Sequence, residues 1–252
     1  MKHLLTAAAA ILAFAAPAAA QKPVPTWSDL VSRFEQGTAA SDTATLRAAV
    51  VDAHTLADVT GLERERQLAL YGAAYAAWRL AFLPGVGDAE SKALLDGADK
   101  DLRDVIRMDP RSAEARALLA SVNGYRIRAG GSAMDLGPEA QDLLAAAARL
   151  DPNNPRVLLE QGINTFHVPA EYGGSTERAE AQLRQALALF EHEPAARPWP
   201  NWGRFDAHVW LGQVLAARGD KGGARAEYDR ALTLVPDSGY VKYKLIPMLT
   251  RK

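Results

Sequence analysis

The 252-residue sequence predicts an all-α fold, a solenoid of stacked helix pairs. Three observations carry this. Apolar residues make up 48 %, and many of them are alanine, which favours closely packed helices. No stretch sustains the apolar–polar alternation of a strand. The helix-closing segments also recur. Val105-Ile106-Arg107-Met108-Asp109-Pro110 is echoed by Ala147-Ala148-Arg149-Leu150-Asp151-Pro152, and Pro110, Pro152 and Pro236 stand 42 and then 84 residues apart. Ala98, Ala140 and Ala224 repeat those offsets. Such a period marks a repeat architecture in which stacking, rather than any single unit, supplies the core.

The helices follow from their punctuation. Thr26 with Asp29 three residues on caps a first helix over 26–36. A second runs over 42–59 and stops at Thr60-Gly61, and a third over 62–82 aligns Leu68, Tyr71, Tyr75, Trp78 and Phe82 along one stripe. After the loop Leu83-Pro84-Gly85-Val86-Gly87, helices are expected near 88–108, 112–129, 138–149, 155–167, 175–191, 204–218, 221–234 and 238–249. Gly137-Pro138 and Asn154-Pro155 read as helix starts with proline at the first helical position. Second helices share a pattern: Ala98, Leu102 and Val105; Ala140, Leu144 and Ala147; Ala179, Leu183 and Ala186. First helices are looser and centre on Gly72, Ala120 and Gly162.

The last pair is the sharpest. Leu211, Gly212, Leu215, Ala224, Tyr228, Ala231 and Pro236 place a glycine and two alanines where two helices cross, a tyrosine beside the crossing and a proline at the close. Gly219-Asp220 ends one helix and opens the next. This spacing resembles the tetratricopeptide repeat, although His208 stands where that family usually has a large aromatic. The resemblance implies a right-handed α-solenoid whose final helix covers the last apolar face, here through Val241, Leu245, Ile246 and Leu249. Residues 21–60 are then an N-terminal helical extension, and 61–252 the repeat domain with its capping helix.

Residues 1–20 read as a secretory signal peptide. A short polar start precedes the apolar run Leu4–Ala16, and Ala18-Ala19-Ala20 places cleavage before Gln21. The run is too short to span a membrane, so no membrane insertion is expected after cleavage. The chain has no cysteine, hence no disulfides and no thiol for lipid attachment. A periplasmic or secreted protein follows. The net charge of -1 argues against a nucleic-acid partner.

Nothing in the pattern announces catalysis. No G-x-S-x-G elbow or cysteine nucleophile occurs, and the Gly130-Gly131-Ser132 and Gly173-Gly174-Ser175 turns lack a phosphate-loop lysine. His167, His192 and His208 lie 25 and 16 residues apart, which fits no compact metal motif, and His54 is isolated. No enzyme, cofactor or metal is therefore expected. Two inserts stand out, Val168–Gly174 and Glu193–Gly203, the second holding three prolines and Trp199 and Trp202. Those tryptophans read either as a lid on the core or as binding anchors.

The resemblance implies that first helices line a concave face. Counted from Gly212 that face includes Asp206, Val209, Gln213 and Ala216; from Gly162, Arg156, Leu159, Ile163, Phe166 and His167; from Ala120, Glu114, Ala117, Ser121, Gly124 and Tyr125. The candidate ligand-binding set is Tyr125, Arg156, Leu159, Ile163, Phe166, His167, Trp199, Trp202 and Gln213. The expected function is a scaffold that binds a protein or peptide on this face. The long loops and the Pro169–Gly174 stretch are also similar to those of repeat proteins that assist periplasmic solute transporters, and this resemblance implies the alternative, an accessory protein that holds a small molecule. An enclosed pore would favour the second, an open groove the first.

Overall fold

A computed structural model describes residues 24–194 and 199–250. The expected signal peptide and its cleavage point lie outside the described residues, as do residues 195–198 of the tryptophan-bearing insert. Helices α1 (Trp27–Ala40), α2 (Thr43–Val59), α3 (Glu63–Leu80), α4 (Asp88–Met108), α5 (Ala113–Arg128), α6 (Ala133–Leu150), α7 (Pro155–His167), α8 (Thr176–Glu191), α9 (Arg204–Ala217) and α10 (Lys221–Leu234) follow one another, with no strand among the described residues. A 3-10 turn, Ala170–Tyr172, sits between α7 and α8, and the chain closes through a π-turn, Val241–Leu245, into α11 (Ile246–Met248).

Consecutive helices pack as pairs, and α3, α5, α7 and α9 also touch in series along one face. The α1–α2 pair stacks on α3 in the same way. One buried cluster runs from Leu30 of α1 to Leu245 near the end, and a smaller one joins Ala113, Ala117, Ala140, Leu144 and Val157 across α5, α6 and α7. Val241 and Leu245 are buried against the last pair, with Ile246 and Leu249 packed beside them.

Local chemistry explains most boundaries. Thr26 and Asp29 form the reciprocal capping box, at 3.2 and 3.0 Å. Asn154 accepts from the backbone N–H of Arg156 at 3.0 Å with Pro155 in the first turn, and Asp220 accepts from Gly223 at 2.8 Å. At the last crossing the Tyr228 ring lies directly on Gly212: a Cβ there would stand 2.6 Å from Tyr228 Cδ1. Gly162 is crowded in the same way by Leu183 of α8.

Two expectations need correction. Helix α6 starts at Ala133, so Pro138 sits inside it rather than at its first position. That proline removes the bond to the Met134 carbonyl, and Met134 is 81 % exposed, so water can take the freed acceptor. Gly72 does not mark the crossing of α3 with α4; it makes room for the Phe34 ring of α1, 2.6 Å from an added Cβ. The closing helix expected near 238–249 is present over 239–248, with a π-turn at Val241–Leu245.

Candidate functional site

The face lined by α3, α5, α7 and α9 is crossed by a strap. Residues 199–203, which lead into α9, lie on this face, and Trp199 packs among Trp27, Phe34, Tyr71 and Tyr75 with ring centroids 5.2–5.7 Å apart. Trp202 lies against Tyr75 and Trp78 at 5.5 and 5.7 Å and donates its indole N–H to the Tyr71 hydroxyl at 3.1 Å. Each tryptophan is 7 % exposed. Of the two sequence readings for this loop, the packing is that of a lid. Gly203 ends the strap with φ 112, and a Cβ would meet Phe190 Cζ at 2.7 Å, so both backbone and space require glycine.

Arg156 anchors the strap. Its guanidinium is fully buried, donates to both Glu193 carboxylate oxygens at 2.7 and 3.1 Å, and stands 3.6 Å from Glu114. It also lies 5.3 Å from the Phe190 ring centroid and 5.9 Å from that of Trp202. A buried arginine of this kind must be paired, because its charge cannot be left without compensation. Leu159, also fully buried, belongs to the core beneath.

Beyond the strap, α3 and α9 are bridged directly. Arg79 donates to Asp206 at 2.8 Å, with its guanidinium 5.3 Å from the Trp78 ring centroid. Glu160 of α7 lies close by. It is 2 % exposed, its Oε2 accepts from the Ser121 hydroxyl, and its Oε1 is buried without a partner. Burial above all, and then the Asp206 charge, pushes its carboxyl up to about 8 against the opposing Ser121 bond, so Glu160 is mostly protonated at neutral pH.

Along α3 the strap and the bridge separate two parts of this face. On one side is a polar cleft of about 320 Å³ between Arg64, Tyr71, Arg111, Ser112, Asn154 and Pro200. On the other, the later turns of α5, α7 and α9 present a shelf of half-buried rings. Phe82 packs on Tyr125 at 5.3 Å, and His167 meets Phe166 at 5.3 Å and Trp210 at 5.0 Å. Ile163 and Gln213 are half-buried along the same helices. Partial burial, and secondarily the Arg128 charge, lowers the His167 pKa, so the ring is neutral at pH 7. His167 makes no hydrogen bond with another described residue, whereas His54 contacts Asp101 and His208 contacts Glu227, each at 2.7 Å.

The nine candidate residues therefore separate. Tyr125, Ile163, Phe166, His167 and Gln213 stand along the open part of the face. Arg156, Leu159, Trp199 and Trp202 are inside, because the strap covers what a plain solenoid would leave bare. Sequence reasoning missed Trp210, Arg79, Arg128 and Glu160. The spacing Asp206, Trp210, Gln213 would have placed Trp210 on the face, one turn beyond a residue already assigned to it. A second cleft of about 310 Å³, outside this face, lies under the 168–174 insert beside Gln141, Gln161, Asn164 and Gln182. Among the described residues no three side chains come together as a metal site, and no helix is long and apolar enough to cross a membrane.

No protein-family model matches the sequence, and no curated protein sequence matches it. Solved structures do. TTC0263, a thermophilic TPR protein of Thermus thermophilus, superposes with a TM-score of 0.61 at 19 % identity over 87 % of this chain and 98 % of its own. HusA, a haemophore of Porphyromonas gingivalis, superposes with a TM-score of 0.62 at 22 % identity over 75 % of this chain and 94 % of its own. At these identities the likeness is one of fold, and the chain has the all-helical repeat fold of the tetratricopeptide-repeat proteins.

Proposed function

We propose that this chain is an exported binding scaffold that holds a protein or peptide partner on its aromatic shelf without doing chemistry on it. The observation that carries the reading is the pair of half-exposed ring groups, Phe82–Tyr125 and Phe166–His167–Trp210, at one end of the concave face. Aromatic surface held by rigid helices is the usual anchor for a partner's apolar side chains. The strap beside the shelf is itself core. Both clefts open to solvent, a geometry that favours a groove binder over enclosure of a small molecule. Export rests on the Leu4–Ala16 run and Ala18-Ala19-Ala20, and nucleic acid and membrane insertion form no part of the proposal. Affinity capture with the wild-type chain and with a Phe166→Ala/Trp210→Ala variant tests it. A partner retained by the first and lost by the folded second is the expected result; equal retention contradicts it.

A small-molecule reading, including service to a transporter, keeps one observation in its favour. His167 is an unbonded neutral imidazole between rings, the kind of group that holds a flat apolar ligand, and HusA is described as a haemophore. Haemin titration followed by absorbance tests this reading. Saturable binding lost in His167→Ala supports it, and binding that is absent or unchanged in the variant ends it.

A further inference from the structure

We propose that Arg128 is the anion-reading point of the shelf, taking a carboxylate carried by an apolar or aromatic segment of the partner. This rests on the shelf being the binding face and names the chemistry it selects.

Arg128 is the last residue of α5, and its guanidinium carbon lies 4.4 Å from the Phe82 ring centroid. Phe82 is in turn packed on Tyr125. Stacking on a fixed ring orients the planar guanidinium and leaves its N–H edge outward. Three other arginines are already taken. Arg79 has Asp206, Arg156 has Glu193, and Arg126, two residues before Arg128, has Asp99 at 3.0 Å and Asp96 at 3.3 Å. The Arg128 side chain makes no hydrogen bond or ion pair with a described residue. A helix C-terminus favours a cation, which accounts for a basic residue at this position. It does not account for the stacked geometry.

The rings that feel this charge come from several elements: Tyr125 of α5, His167 of α7 and Tyr240 of the closing segment. Together with Phe82 they present uncharged surface at neutral pH. The acidic groups that act on Tyr125 are Asp206, bonded to Arg79, and Glu160, which burial keeps protonated. Among the described residues the Arg128 charge therefore has no carboxylate paired with it. An acidic residue flanked by apolar ones complements both features, its carboxylate on the exposed guanidinium edge and its neighbours on the rings. The carboxylate can come from a side chain or from a chain end.

Capped tetrapeptides distinguish these cases. Acetyl-Leu-Phe-Asp-Phe-amide, its Asn analogue, and the Asn analogue with a free carboxyl end are titrated calorimetrically at low salt against the wild-type chain and Arg128→Gln. The Asp peptide is expected to bind roughly tenfold tighter than the Asn amide, and Arg128→Gln to abolish the difference. The free-ended Asn peptide matches the Asp peptide if a chain end serves equally, and the Asn amide if only a side chain does. Burial, the larger cause of the depressed His167 pKa, is common to both peptides, so wild-type NMR should show a higher His167 pKa with the Asp peptide bound than with the Asn amide bound, because only the first neutralises the Arg128 charge. Equal binding of all three peptides overturns the assignment and leaves the shelf standing. So does a preference that survives in Arg128→Gln. No binding of any peptide overturns the assignment and counts against the shelf as the peptide site.

Discussion

Replacing Glu160 with glutamine should stabilise the protein, and by an amount that depends on pH. The carboxyl is buried, is bonded on one oxygen to Ser121, and has its ionisation pushed from an ordinary 4.5 up to about 8. The native state thus holds a proton that the unfolded chain releases. With the native pKa raised, stability is fully present below 4.5, falls as the pH rises toward about 8, and levels off above. The slope from one such group is about 1.4 kcal/mol per pH unit, which amounts to roughly 3 kcal/mol lost by pH 7. Glutamine cannot ionise, so the variant escapes this loss. Its amide brings an extra buried donor that costs about 1–3 kcal/mol, which leaves the variant level with or up to about 2 kcal/mol above wild type at pH 7. Urea denaturation of both chains at several pH values between 5 and 8 measures the difference directly. The gap in favour of Glu160→Gln should widen steadily with pH. Curves that stay parallel would show that Glu160 ionises normally and that the groove floor is wet, which would refute the burial argument.

Trp199→Ala and Trp202→Ala should each lower stability by about 3–5 kcal/mol in chemical denaturation, because the rings fill the core under the strap; loss of binding without loss of stability would return them to the surface. Gly212→Leu should cost about 1–3 kcal/mol or more, read as a fall in Tm, since Tyr228 occupies the space a side chain would need. His54 is held above its ordinary 6.5 by the hydrogen bond to Asp101, with burial opposing. Its contribution to the α2–α4 contact should be present below pH 6.5 and fade as the pH climbs through the raised value, and His54→Ala should flatten that part of the Tm–pH profile.

Much of the fold was legible because its signals are local. Caps such as Thr26–Asp29, Asn154 and Asp220 lie within three residues of what they bond, and the alanine at each crossing recurs at a fixed offset. Where a local signal misled, a longer-range term won. Gly137-Pro138 resembles a helix start, yet α6 begins five residues before the proline, which its exposed early turns tolerate. Gly72 resembled a crossing glycine, but it makes room for Phe34, a residue of another helix nearly forty positions away. The site was harder to read for the same reason. Tyr125, Phe166 and His167 follow from helical spacing along α5 and α7. That Trp199 and Trp202 point inward depends on Trp27, Phe34, Tyr71 and Tyr75 being brought beneath them, which no spacing within the insert records.

The proposed binding face is the ring shelf beyond the strap, rather than the strap or the outer helices. Hydrogen–deuterium exchange of the chain with and without its captured partner tests this most directly. The account predicts new protection in the later turns of α5 and α7 and in α9 around Trp210, with the already protected Trp202 region unchanged. Protection confined to α4, α6, α8 and α10, with the shelf exchanging as before, would contradict it.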